Sequence, residues 1–485
     1  MQLSEYARFD GLGLAELVRR KEVSVRELAQ TGLQAIALAN PALNAVIEVY
    51  SQAAEDLSRD ARAEPSGPFA GVPFLLKDIG SHDGNVLFEL GSRLARGLRT
   101  PPIPSELVRR FRASGVTILG RTNIPELGSS CSTEPLLYGP TRNPWNLERT
   151  PGGSSGGAAA AIASGMVPIA HANDAGGSIR WPAACCALFG LKPSRNLNPL
   201  GPDTALAVNG LAAEHILSRS VRDTAAMLDI TAGPDPGAWC YTPRLAGSYL
   251  EDMQRPVGQL RIALDTRARF PPTTVEREVL DAVRQSAALC ASLGHHVEEA
   301  ELEFDHETVL KAFGVIWASG LRAAVEGLAS LTGRPVTADT VEPHILAAYR
   351  DAERMSASQL QASLDQMNLV ARAYGQLFQR YDVLLTPVSS MEPFALGKLG
   401  RIPTDSFHDW FLGMCSHCPF TSSANIAGVP AMSVPLGWSK SGLPIGTHFV
   451  APLGAEAVLL RLAAQLEAAQ PWSQRRPAHH VGALA

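Results

Sequence analysis

The sequence predicts an α/β fold with much of its sheet buried. Short apolar runs bounded by breakers alternate with longer segments whose apolar residues recur at helical spacing. Composition agrees. Charged residues make up 18% of the 485 positions, below the roughly 25% of an average soluble domain, and apolar residues make up 46%. There is no internal repeat and no low-complexity linker, so one domain over 1–485 is expected although the length alone would allow about three.

The elements follow in chain order. In the N-terminal segment, residues 1–64, Leu14, Leu17 and Val18, then Val25, Leu28, Leu33 and Ile36, predict helices across 11–60. Pro65-Ser66-Gly67-Pro68 closes that segment. The apolar run Val72–Leu76 predicts a buried strand that delivers Lys77 at its end. Ser105 can cap a helix through Ala113, Gly115 can stop it, and Val116–Leu119 forms the next strand. Very small residues build a helix from Ser155 to Ser164, with Gly165 as its stop. His171 falls at the end of another strand, where a hydrogen-bonded core histidine is expected. Leu260–Leu264 and Asp382–Leu385 are further strands, and 305–380 is mainly helical. Ala455–Glu467 is the last clear helix, and the tail beyond Pro471 is expected to be loose.

Charge and cysteine usage exclude several classes. A net charge of −5 leaves no basic footprint for nucleic acid. No apolar stretch of about 18 residues is free of charges and breakers, so no membrane span is expected. Met1–Tyr6 lacks the basic and apolar regions of a signal peptide, which makes the cytoplasm the expected location. Seven cysteines, an odd number spread thinly, argue against a disulfide framework. Cys415-Ser416-His417-Cys418 lacks the second paired cluster of a zinc knuckle and the surroundings of a redox pair. Two small thiols beside a pocket are expected there instead. Cys185 and Cys186 should pack near the serine loop that precedes them. Cys290 lies on the apolar stripe of Val275, Val279, Ala282, Val283, Leu289 and Leu293 and is assigned to the core.

The chemistry is concentrated in two glycine-framed serine blocks. They are Gly152-Gly153-Ser154-Ser155-Gly156-Gly157 and Asp174-Ala175-Gly176-Gly177-Ser178-Ile179-Arg180, whose Ser154 and Ser178 stand 24 residues apart. Glycine lets backbone N–H groups approach a ligand, and a serine among such donors can attack a carbonyl while they receive the developing charge. Serine needs a base. No histidine here stands in a motif of a serine–histidine triad, and no Gly-x-Ser-x-Gly elbow stands on a strand-to-helix turn. A lysine serves instead if desolvation lowers its proton affinity. Lys77 ends an apolar run and meets that condition, although its own segment fits a surface lysine paired with Asp78 just as simply. A phosphate loop is excluded because no lysine follows Gly157.

Taken together, the blocks resemble the amidase signature family of serine amidohydrolases. The resemblance rests on Gly71-Val72-Pro73-Phe74-Leu75-Leu76-Lys77-Asp78, on Gly152–Gly157, and on Asp174–Arg180 running through Pro182 to Gly190-Leu191-Lys192-Pro193. Thr141–Asn146 and Asn425–Ala431 are similar as well, and the likeness is closest over 68–196 and 420–470. It implies a large mixed, twisted sheet flanked by helices on both faces, with 68–196 as the core and 305–380 as a helical insertion near the pocket. It also implies a Ser-Ser-Lys triad: Ser178 as nucleophile, Ser154 after a cis peptide as proton bridge, Lys77 as base. The N–H groups of Ala175, Gly176, Gly177 and Ser178 would form the oxyanion hole. Ser155, Asp174 and Arg180 would support the loop.

Asn173 stands where many members have threonine and Ala158 where serine is frequent, so hydrogen bonding around the lysine is expected to differ. Ala170–Asp174 and Pro144-Trp145-Asn146 are similar to the bacterial branch of nylon-oligomer amidases of the 6-aminohexanoate-cyclic-dimer hydrolase type. Ser129, Cys131, Trp181, Trp317 and Asn425 are the candidates for substrate binding. The activity implied is cleavage of secondary, cyclic or aryl amides, with esters and carbamates as further substrates. No metal and no organic cofactor is expected. The partners expected are the small-molecule amide and, as a homodimer, a second copy of the chain. Two alternatives stand beside this reading: a glutaminase subunit of an amidotransferase, and a silent binding protein on the same scaffold. The first lacks its Leu-Asp-x-x-Gly-Pro segment between Asn196 and Glu214.

Overall fold

The computed structural model describes residues 1–50, 66–404 and 406–484. The end of the predicted N-terminal helical stretch and Pro65 of its closing turn lie outside them. The strands are β1 (Val46–Val49), β2 (Pro73–Lys77), β3 (Thr117–Thr122), β4 (Ile169–Asp174), β5 (Phe189–Lys192), β6 (Ala213–Ser218), β7 (Arg261–Leu264), β8 (His296–Glu299), β9 (Val383–Pro387), β10 (Ala431–Trp438) and β11 (Pro444–Val450). An eight-stranded sheet runs in the order β4-β6-β5-β10-β11-β9-β7-β8. Neighbours are antiparallel from β4 across to β9, and β9, β7 and β8 are parallel. A second sheet has three strands, β1-β3-β2, with β2 parallel and β1 antiparallel to β3. The two sheets meet where β2 lies against the edge strand β4, and the Lys77 N–H donates to His171 Nδ1 at 3.2 Å.

Alternation along the strands shows why both faces of the large sheet are covered. Ala431, Val450, Leu384 and Ala263 point into one core, whereas their neighbours Met432, Phe449, Leu385 and Ile262 point into the other. Successive side chains of a strand face opposite sides, so a sheet apolar at every position needs helices on both. The helix Gly156–Ala163, buried along its whole length, packs on the first side near β2 and β4. The helices Arg277–Ser292 and Glu456–Ala469 cover the second, and Cys290 is buried there as expected. Helices His306–Thr332, Pro343–Ala352 and Ala357–Leu377 form the predicted helical insertion. The first is long and apolar enough to cross a membrane by composition, yet Val309, Phe313, Ile316, Leu321, Val325 and Leu328 bury one face inside the protein.

Four expectations change. Residues 46–49 form β1 and not helix: Asn44 ends the preceding helix with a left-handed φ of 50°, and the chain then pairs with β3. His171 lies within β4 and not at its end. Ser105 sits at the predicted helix start, but its hydroxyl bonds the backbone of His82 and caps nothing. The tail is docked: the Trp472 indole N–H donates to the Arg219 carbonyl at 2.8 Å, and the Val481 N–H donates to the Ser164 carbonyl at 2.8 Å. Trp472 and Val481 are both buried, so apolar anchoring after Pro471 outweighs the polar composition around them. Trp472→Ala should therefore destabilise the protein by about 3–5 kcal/mol, the usual cost of truncating a buried tryptophan, measured by urea denaturation.

Candidate active site

Two strand ends and one helix start converge on a single amine. Lys77 ends β2, Asn173 lies next to the end of β4, and Ser154-Ser155 immediately precede the helix Gly156–Ala163. Lys77 Nζ lies 2.7 Å from Ser154 Oγ, 2.5 Å from Asn173 Oδ1 and 3.3 Å from the Asn173 carbonyl. The Gly153–Ser154 peptide is cis. Ser155 Oγ donates to the same Asn173 carbonyl at 3.3 Å. Lys77 is buried, and it does not pair with Asp78. That carboxylate instead receives Arg121 at 2.5 Å and the N–H groups of Glu89 and Gly91. Burial pushes the Lys77 amine down to about 7, against the upward pull of the Glu214 and Asp174 charges.

The loop after β4 is held by a buried ion pair. Arg180 Nε donates to Asp174 Oδ2 at 2.9 Å and Nη2 to Oδ1 at 2.8 Å, with both side chains fully buried. Burial alone would raise the Asp174 carboxyl, but Arg180, with Lys192 and the Asn425 amide, holds it well below the usual carboxylate range. The same carboxylate accepts the N–H groups of Gly177 (2.7 Å) and Ile179 (3.0 Å), which fixes the turn around Ser178. Gly177 has φ +139°, and a Cβ there would stand 2.4 Å from Thr421 Oγ1, so only glycine fits.

That geometry divides the N–H groups expected to receive an oxyanion. Gly177 is engaged with Asp174. The N–H groups of Ala175, Gly176 and Ser178 have no acceptor among the described residues. Ser178 itself is half-buried and opens on a cleft of about 370 Å³. Its hydroxyl makes no hydrogen bond among the described residues, whereas the hydroxyl of Ser154 is linked to Lys77.

The cleft wall is aromatic and sulfur-rich. Phe313, Trp317 and Phe411 form a cluster with centroid separations of 5.2 to 5.9 Å, joined by Met414 and the thiols of Cys131, Cys415 and Cys418. Ser129 also lines it, its hydroxyl donating to the Glu126 carbonyl at 2.8 Å and lying 2.9 Å from His344 Nε2. Ser129, Cys131 and Trp317 thus line the cleft, and the Cys415–Cys418 pair lies beside it as two buried thiols.

Trp181 and Asn425 do not line the cleft. The Trp181 indole donates to the Cys131 carbonyl at 2.8 Å from behind it. Asn425 Nδ2 binds the Asp174 carbonyl, and its Oδ1 accepts from Arg180 at 2.6 Å. Both are buried and brace the loop, because side chains flanking a fixed turn fill the space behind it. Phe411 and Met414 were not anticipated. The neighbouring cysteine motif was the one signal that marked their helix. Cys185 and Cys186 end the helix Arg180–Cys186 that follows the Ser178 loop, and their contacts reach the neighbourhood of the first serine block: the Cys185 carbonyl accepts the Asn143 amide at 2.9 Å and the Cys186 thiol lies near the Pro151 carbonyl.

The chain belongs to the amidase family, whose model matches residues 27–460. A 6-aminohexanoate-cyclic-dimer hydrolase of Paenarthrobacter ureafaciens is 36% identical over 96% of both chains. The solved structure of a 6-aminohexanoate cyclic dimer hydrolase superposes with a TM-score of 0.91, at 35% identity and covering 98% of this chain and 99% of that one. A bacterial aryl acylamidase of the amidase signature family superposes at 0.88, with 28% identity over 98% of each chain. The protein is a hydrolase of carboxamide C–N bonds other than peptide bonds.

Removing Asp174 would leave Arg180 buried without a counter-charge. Asp174→Ala should cost about 3–5 kcal/mol, read by chemical denaturation. Because the folded carboxyl is depressed, its contribution is present above the unfolded value of about 4 and is lost as pH falls below it.

Proposed function

We propose that the enzyme hydrolyses apolar secondary, cyclic or aryl amides through a Ser178 acyl-enzyme, with Lys77 as base and Ser154 as proton bridge. One observation carries the reading. A neutral amine has two hydrogens, and Asn173 offers two acceptors, its Oδ1 and its carbonyl, to Lys77 Nζ. The lone pair is then left for the Ser154 hydroxyl at 2.7 Å. Desolvation keeps much of the amine neutral near pH 7.

Lys77 takes the Ser154 proton while Ser154 takes the proton of Ser178, whose oxygen bonds to the amide carbon. The N–H groups of Ala175, Gly176 and Ser178 receive the carbonyl oxygen as it becomes negative, and the Gly177 N–H fixes the turn through Asp174. On collapse the C–N bond breaks and the proton returns through Ser154 to the departing amine. Water then attacks the ester by the same relay, releasing the acid. Ser155 and Arg180 support the loop without entering the chemistry.

The apolar cleft of Phe313, Trp317, Phe411 and Met414 suits a hydrocarbon acyl chain or ring, with Ser129 and Cys131 also lining it. It also suits the substrates for which the relatives are named, and the same acyl chemistry extends to esters and carbamates. The reading includes a homodimer in the cytoplasm acting as one domain per chain, tested by light scattering and fractionation. A panel of cyclic amides, linear amides, anilides and carbamates tests the substrate class. Best turnover on a charged or strongly polar acyl group would overturn it.

Ser178→Ala should abolish turnover with the fold intact. Lys77→Ala and Ser154→Ala should each lower kcat by about 100-fold or more. Since the neutral amine is the active form, kcat/KM should rise with pH through an acid limb near 7. A profile flat from about pH 5 to about pH 8 would count against Lys77 as base.

A further inference from the structure

A closed ring of hydrogen bonds surrounds Lys77 and runs through side chains that the proposed relay does not use. The Lys77 backbone N–H donates to His171 Nδ1 (3.2 Å), and His171 Nε2 lies 2.5 Å from Glu214 Oε2. Glu214 Oε1 accepts from Asn173 Nδ2 at 3.1 Å, and Asn173 Oδ1 meets Lys77 Nζ at 2.5 Å.

Each orientation in the ring is determined by its neighbours. A backbone N–H can only donate, so His171 Nδ1 is the acceptor and Nε2 carries the hydrogen that Glu214 receives. Asn173 Nδ2 faces two acceptors, Glu214 and the Ile79 carbonyl at 3.1 Å, so the amide cannot be turned round. Glu214 therefore accepts on both oxygens, as a carboxylate does.

The sheet builds this arrangement directly. His171 and Asn173 are two apart on β4 and share a face, and Glu214 stands opposite Asn173 in the β4–β6 register. Gly80 closes over it. A Cβ at Gly80 would lie 2.3 Å from Glu214 Oε1 and 2.6 Å from Asn173 Nδ2, so the loop after β2 must carry glycine to seal the carboxylate in. Glu214 and His171 are themselves buried.

We propose that Glu214 is a positioning residue: through His171 and Asn173 it holds the Lys77 amine on Ser154 and keeps one negative charge beside it for the ammonium that forms during catalysis. The inference rests on the lysine–serine relay proposed above. The other charged groups near the amine are Asp174 on β4, neutralised by Arg180 with Lys192 behind it. Glu214 is thus the nearby carboxylate without an arginine or lysine on it. When Lys77 takes a proton, its charge meets Glu214 across a single amide group, in a dry site where such an interaction is strong.

The test is the rate of Ser178 labelling by a fluorophosphonate as a function of pH, in wild type, Glu214→Gln, Glu214→Asp, Asn173→Ala and Lys77→Ala. Glu214→Gln should label roughly 10- to 100-fold more slowly on the plateau, with the acid limb moved about one unit to lower pH because a charge favouring the ammonium is gone. Glu214→Asp keeps the charge and should restore the limb, though not the full rate. A Glu214→Gln enzyme with the wild-type rate and limb overturns the inference. Should that variant not fold, Asn173→Ala decides: it breaks the link to the amine while leaving Glu214 in place, and wild-type labelling by it overturns the inference equally. Lys77→Ala separates the two readings, since wild-type labelling by that variant would sink the relay itself.

Discussion

Burial of one amine without a carboxylate in contact is the constraint on which the site depends. An ammonium in such a place loses its hydration, and the protein answers by shifting the proton equilibrium instead of supplying a salt bridge. The apolar strand β2, buried along its length, takes Lys77 into the interior. Asp78 would be the obvious partner, but Arg121 binds it on the other side of the strand end. What remains around Nζ is a hydroxyl and two amide oxygens. Those groups supply acceptors but no counter-charge, so desolvation is left to favour the neutral amine.

The serine loop follows a different rule. There the charges are buried as a pair, Asp174 with Arg180, and nearly every polar atom of the pair is matched. The pair orders backbone N–H groups. Asn173, which accepts from the amine, and Asp174, which carries the ion pair, are adjacent at the end of β4, so one strand end serves two opposite electrostatic purposes. The ring through His171 and Glu214 belongs to the amine's half, where His171, Asn173 and Glu214 share the register of β4 and β6.

Packing decides the shape of the cleft. The helices His306–Thr332 and Phe407–Cys415 bring Phe313, Trp317 and Phe411 together from positions nearly 100 residues apart in the chain. Aromatic faces in mutual contact make a stiff wall, and Met414 with the cysteine thiols fills the gaps between them. The cysteine pair that resembled a metal or redox motif in the sequence is lining, because Cys415 at the helix end and Cys418 in the turn after it both border the pocket.

Much of this was legible in the sequence, and the reason is local. Glycine-framed serines, an apolar run ending in lysine and small-residue helices are each encoded within about ten residues, and they specified the α/β class, the two serine blocks and Lys77. Even Asn173 stood out, as a departure from the usual threonine. The rest depends on which strands become neighbours. Only pairing of β4 with β6 brings Glu214 opposite Asn173, only the turn fixed by Arg180 engages the Gly177 N–H, and only packing behind the loop removes Trp181 and Asn425 from the cleft. β1 and the docked tail likewise form because distant partners are present. The sequence by itself determined which chemical groups are available. Tertiary structure decided which are dry, which are paired and which face the cleft, because desolvation and hydrogen-bond partnership belong to the folded neighbourhood and not to the segment.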